Sequence, residues 1–160
     1  RAIAFVVNAS LIALFGLQHS LMARPWVKRW LAAMPPPFIR VTYVHAANLA
    51  LLLLVLGWQP LPHLVWHVAW RPLETAIWLL FAVGWLVLLA GALSFGIRDL
   101  LGVTAVEDWQ ARGTARREKL KTGLLYRWLA HPMYVGVLTA FWATPRMSVG
   151  HLIFASGMTL

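Results

Sequence analysis

TAIWLLFAVGWLVLLAGALSFGI, residues 75–97, holds no charged side chain and no proline. As an α-helix rising 1.5 Å per residue it reaches about 35 Å, enough to cross the ~30 Å hydrocarbon core of a bilayer. Comparable apolar runs lie near residues 2–22, 41–58 and 125–143, and a fifth opens near Val149 and reaches only Leu160. With 61% hydrophobic residues, 12% charged residues and ten tryptophans in 160 positions, the composition is that of an integral membrane protein. The expected fold is all-α: a multi-pass transmembrane helical bundle of about five spans, the last truncated, in a single domain over 1–160. A chain that opens on Arg1 and stops inside its fifth apolar run reads as a fragment of a longer protein.

The first run sits behind one arginine, as a secretory signal would. It ends instead in Gln18-His19-Ser20 and a basic loop, with no small-residue cleavage site, and reads as a retained span. The absence of cysteine excludes disulfides, thiolate metal sites and a cysteine nucleophile.

A net charge of +9 might point to nucleic acid, but the cations fall in two loops. Arg24, Lys28, Arg29 and Arg40 lie in the first connection; Arg98, Arg112, Arg116, Arg117, Lys119, Lys121 and Arg127 lie in the third. The second holds Arg71 and the fourth Arg146. The positive-inside rule makes loops one and three cytoplasmic and sets the N-terminus outside. Anionic lipid headgroups account for the charge, so membrane lipids are the expected partners and nucleic acid is not. Trp26, Trp30, Trp58, Trp66, Trp70, Trp78, Trp128 and Trp142 near the span ends form the matching aromatic belt. Pro35-Pro36-Pro37 and Gln59-Pro60-Leu61-Pro62 act as stiff breakers between spans.

This topology brings polar groups to one level. Span one ends at Gln18, His19 and Ser20; span two leaves the same side through Arg40, Thr42, Tyr43 and His45; span three ends at Arg98-Asp99; span four enters through Tyr126, His131 and Tyr134. A cytoplasm-facing pocket is expected there, since polar and ionisable groups at membrane depth are costly and usually functional. His63, His67 and His151 fall on the outer side. His131 and Tyr134 share a helical face, and Gly136 permits close approach. A helix beginning at Pro132 offers free N–H groups and a positive dipole end, suited to a carboxylate or phosphate. Lys119, Lys121 and Arg127 add to that field. An anionic, adenosine-containing cofactor fits, though spacing alone selects none. Hydrogen bonding between helices explains the same residues without chemistry. A haem or metal site on His19, His45 and His131 and a small transporter are further readings.

The stretch Tyr126-Arg127-Trp128-Leu129-Ala130-His131-Pro132-Met133-Tyr134-Val135-Gly136 resembles the Arg-His-Pro-x-Tyr-x-Gly signature of the membrane methyltransferases typified by isoprenylcysteine carboxyl methyltransferase. The resemblance is closer to the bacterial methanethiol S-methyltransferases, with NnrU-like proteins as neighbours. It extends to Gln18 through Pro25, to Pro36-Pro37 with Arg40 through Val44, and to Ala140 through Pro145 followed by Met147, Val149, Gly150 and His151. It implies methyl transfer from S-adenosylmethionine to a small thiol such as methanethiol; a same-family enzyme acting on a lipid or prenylated thiol is the nearest rival. By this resemblance Tyr126, His131, Pro132, Tyr134 and Gly136 hold the cofactor. From their position at the same level, His19, Arg40 and Tyr43 are the candidates to serve the acceptor catalytically, with Gln18 and Asp99 contacting it. Ala130 stands where the signature has arginine, and Gly96-Ile97 where the thiol enzymes tend to carry Asn-His before Asp99-Leu100-Leu101-Gly102. The family's acidic motif after the last span has no counterpart before Leu160. Oligomeric state is not legible.

Overall fold

A computed structural model describes residues 1–113 and 124–160. Its helices are α1 (Ala2–Ala23), α2 (Pro25–Trp30), α3 (Pro36–Gly57), α4 (Arg71–Phe95), α5 (Ile97–Leu100), α6 (Val103–Arg112), α7 (Pro132–Trp142) and α8 (Val149–Thr159), with strands β1 (Leu64–His67) and β2 (Arg146–Ser148). The all-α membrane bundle expected from the apolar runs is what forms. Helices α1, α3 and α4 are each long and apolar enough to cross a membrane, with mean hydropathies of 1.7, 1.8 and 2.4. Their exposed faces carry Leu14 and Leu17, Leu52 and Leu56, and Leu79 and Leu86, as hydrocarbon surroundings require.

Helix boundaries follow the breakers. Prolines stand at the first or second position of α2, α3, α4 and α7, where a missing N–H costs no helical bond. Gly96 at φ 94° ends α4 and Gly102 at φ 77° separates α5 from α6, both in backbone conformations that favour glycine.

The apolar run at 125–143 is α-helical only in part, and the helix start expected at Pro132 is the one that forms. Residues 124–127 form a 3-10 turn, and α7 starts only at Pro132. The cause is local: Pro132 holds the preceding His131 out of the helical region, at φ −136° and ψ 69°, so the chain cannot enter α7 as a helix from Arg127. At 11 residues, α7 is about 16 Å long, half a membrane. Helix α8, also 11 residues, occupies the fifth apolar run. The basic residues Arg116, Arg117, Lys119 and Lys121 lie outside the described residues.

The short α7 is held by α4. A Cβ built on Gly136 would lie 2.5 Å from the Leu88 amide nitrogen and 2.7 Å from the Gly84 carbonyl oxygen; one on Gly84 would lie 2.7 Å from the Ala140 nitrogen. One on Gly91 would meet the Met133 side chain at 2.8 Å. Gly84 and Gly91 recur after two turns on α4, and Gly136 and Ala140 after one turn on α7, so the two backbones touch through small residues. On the other flank α1 packs along α3, and α8 meets α1 where a Cβ on Gly157 would press on Ile12 at 2.6 Å.

At the end where α3 finishes, buried Asn8 of α1 donates through Nδ2 to the Gln59 carbonyl and accepts from the Gln59 amide at Oδ1, both at 2.8 Å. The side chain acts as a short strand partner for backbone that has left its helix. Beside it β1 and β2 pair antiparallel, with His67 opposite Arg146 and an irregularity between Leu64 and Trp66. We call this the sheet end, and the opposite end, where α1 and α4 finish and α3 and α7 begin, the polar end.

Gly136→Val is expected to destabilise the fold by about 1–3 kcal/mol or more through overpacking against α4, whereas Gly16→Ala, with nothing within 4 Å of its Cβ, leaves thermal unfolding in detergent unchanged or raised. Asn8→Ala removes both hydrogen bonds to the Gln59 backbone and is expected to cost about 1–3 kcal/mol in the same measurement.

Candidate functional site

The polar end assembles in two parts. In the first, the last turn of α1 meets the second turn of α3. The Tyr43 hydroxyl stands 3.0 Å from Nδ1 and 3.2 Å from Nε2 of His19, and the rings tilt at 41° with centroids 5.4 Å apart. Phe15, one turn earlier on α1, stacks on His19 at 5.7 Å and fixes its ring plane. His19 is otherwise exposed, so an imidazole held on one edge and one face stays open to a ligand on the rest. Gln18 donates to the Met22 sulfur at 3.1 Å, while its buried Oε1 has no hydrogen-bond partner among the described residues.

Arg40, one turn before Tyr43, donates to the backbone carbonyl of Asp99 at 2.9 Å. The Asp99 carboxylate accepts from the Thr104 hydroxyl, and Arg98 pairs with Glu107, so α5 is tied to α3 on one side and α6 on the other. Gly102 lies against Val41 of α3, where a Cβ would come within 3.0 Å of Cγ2. The two positive-φ glycines thus fold the chain back after α4 and lay Asp99 against the start of α3. Thr104 was not singled out by sequence reading; a hydroxyl five residues after an acid was its only signal.

The second part is the start of α7. Pro132 and Gly136 are buried against α4, His131 is exposed at the N-cap with its side chain capping nothing, and Tyr134 is half exposed. The Tyr134 hydroxyl donates to the Thr159 carbonyl at 3.3 Å, and the Trp142 indole donates to the Thr159 hydroxyl at 3.1 Å. Thr159, at the end of α8, therefore orders a face of α7 that sequence reading left without a partner. The Tyr126 hydroxyl is buried with no partner among the described residues, and Arg127 is exposed.

One alternative reading of the sequence is redrawn. His45 turns its Nδ1 to the Val41 carbonyl at 2.9 Å, and among the described residues no three histidine or acidic side chains come close enough to hold a metal, so His19, His45 and His131 do not form a ligand set. A cavity of about 480 Å³ lies at the sheet end, lined by Leu54, Trp58, Leu61, His151 and Phe154 among others.

The sequence matches curated proteins along nearly its whole length. It is 43% identical over 159 residues to a methanethiol S-methyltransferase of Mycobacterium tuberculosis, covering 98% of this chain and 64% of that one. With a methanethiol S-methyltransferase of Pseudomonas deceptionensis it shares 39% over 159 residues, 99% of this chain and 61% of the relative. Nurim of Xenopus laevis is more distant, 33% identical over 164 residues, 96% of this chain and 57% of nurim. No family model and no solved structure matches. The chain spans less than two thirds of the length of these relatives. It is a homologue of the methanethiol S-methyltransferases, related to them from end to end of the sequence described above.

Proposed function

We propose that this chain carries the transmembrane part of an enzyme that methylates a small thiol, methanethiol, with S-adenosylmethionine as donor, on the cytoplasmic side of a bacterial inner membrane. The relatives' names supply the reaction, and the observation that carries it to this structure is the His19–Tyr43 pair at the same end of the bundle as a helix start that offers N–H groups. The fit to the cofactor rests on two buried polar atoms without partners among the described residues, Tyr126 Oη and Gln18 Oε1, and on the exposed first turn of α7.

When bound, S-adenosylmethionine supplies an electrophilic sulfonium methyl group. His131, Tyr134 and Tyr126 flank the start of α7, whose free backbone N–H groups suit the carboxylate of an amino-acid moiety. Gly136 and Pro132 serve by packing, since they set α7 against α4. On the acceptor side the reactive form is the thiolate, so a proton has to leave the thiol sulfur. His19 accepts that proton. The Tyr43 hydroxyl oxygen accepts from the His19 nitrogen that carries hydrogen, which leaves the other nitrogen free as the base, and the same bond persists in the imidazolium. Arg40 brings positive charge to the same turn of α3, favouring the anion, while its bond to the Asp99 carbonyl holds α5 over the site. Gln18 and Asp99 line the acceptor side.

Headspace detection of dimethyl sulfide from membranes holding the full-length protein, given S-adenosylmethionine and methanethiol, is expected to show product above empty membranes. The product is lost with His131→Ala and retained with His63→Ala at the sheet end. Binding of S-adenosylmethionine without any dimethyl sulfide would reject methanethiol as the acceptor. His19→Ala is expected to lower the rate about 10²- to 10⁴-fold while cofactor binding persists. Tyr43→Phe is expected to change the ratio of His19 tautomers read by ¹⁵N NMR; an unchanged ratio would remove Tyr43 from the mechanism.

A further inference from the structure

The sheet end holds a site of a different kind. Its pocket, about 480 Å³, lies between the last turns of α3, the Trp58–Pro62 connection and the first turns of α8. Leu54, Val55, Trp58, Leu61 and Phe154 make its wall apolar, and Trp58 meets Phe154 edge to face at 5.7 Å. Its polar lining groups are already engaged: His151 binds the Phe141 carbonyl through Nε2 at 2.8 Å, and the Ser148 hydroxyl accepts from the His151 amide at 3.1 Å. A polar small molecule finds little unused hydrogen-bonding capacity there, and an acyl chain loses nothing.

The rim differs in chemistry. Side chains alternate along a strand, so Arg146 lies on the same face of β2 as the pocket-lining Ser148, about 7 Å along, while Met147 between them is fully buried on the other face. His67 is directly opposite Arg146 in the antiparallel pair and so projects from the same face. Both are exposed, and neither forms a salt bridge with a described residue. Among the described residues the carboxylate at this end is Glu74, in the first turn of α4 near Arg71. An apolar cleft with a guanidinium and an imidazole about one strand-step away matches a molecule that is apolar at one end and anionic at the other. We propose that the sheet end binds one anionic glycerophospholipid, its acyl chain in the Trp58–Phe154 pocket and its phosphate at Arg146 and His67.

The test uses the full-length protein in detergent, with native mass spectrometry counting retained phosphatidylglycerol against phosphatidylcholine. Because basic loops at the polar end also attract anionic lipid, the informative quantity is the difference between wild type and Arg146→Gln. The expected result is a preference for phosphatidylglycerol that falls about fivefold in Arg146→Gln and returns in Arg146→Lys, the contribution of one interfacial cation. Val55→Trp, which fills the pocket from a largely exposed position, is expected to lower retention of both lipids. A preference that survives Arg146→Gln would overturn the headgroup site. Undiminished retention in Val55→Trp would overturn the pocket.

Discussion

The backbone contact between α4 and α7 is the constraint on which the rest depends. Helix α7 is too short to cross a bilayer alone, and hydrocarbon offers no hydrophobic force to pin one apolar helix on another. What remains is close packing, available only where side chains are absent: Gly84 against Ala140 and Gly136, Gly136 against Leu88, and Gly91 against Met133. Because Gly91 lies one turn before the end of α4, the same contact places Pro132 and His131 beside the turn at Gly96. The start of the site helix and the fold-back into α5 are thereby brought to one end of the bundle.

From that end the polar groups reach across to the other pair of helices. Bare backbone and polar side chains at membrane depth cost several kcal/mol each unless paired, so their arrangement is constrained. Arg40 gives a bond to the Asp99 carbonyl, Thr104 to the Asp99 carboxylate and Tyr43 to His19. The groups left without a partner are then the informative ones. Gln18 Oε1 and Tyr126 Oη are buried and unbonded among the described residues, one on each side of the proposed site, which is where a polar ligand would restore the balance.

The long spans were legible because twenty consecutive apolar residues admit few other solutions, and α1, α3 and α4 begin and end within a few residues of the apolar runs. The pairing of His19 with Tyr43 was legible only as a shared level, since the topology sets depth but not rotation about each helix axis. In the fourth run hydropathy alone reaches back to residue 125, whereas Pro132, which holds His131 out of the helix, marked the helix start in the sequence. The β1–β2 pair, the Asn8 clamp on Gln59 and the role of Thr159 were not legible. Each joins residues far apart in sequence, and a single amide or hydroxyl in an apolar run does not announce its partner.

The central claim is that the polar end, and not the pocketed sheet end, receives the methyl donor. The direct test is ultraviolet cross-linking of methyl-labelled S-adenosylmethionine to the full-length protein in its membrane, with the labelled peptides mapped. The account predicts label on residues 126–136, with or without residues 18–20 and 40–43. Label confined to 54–62 and 148–154 would contradict it.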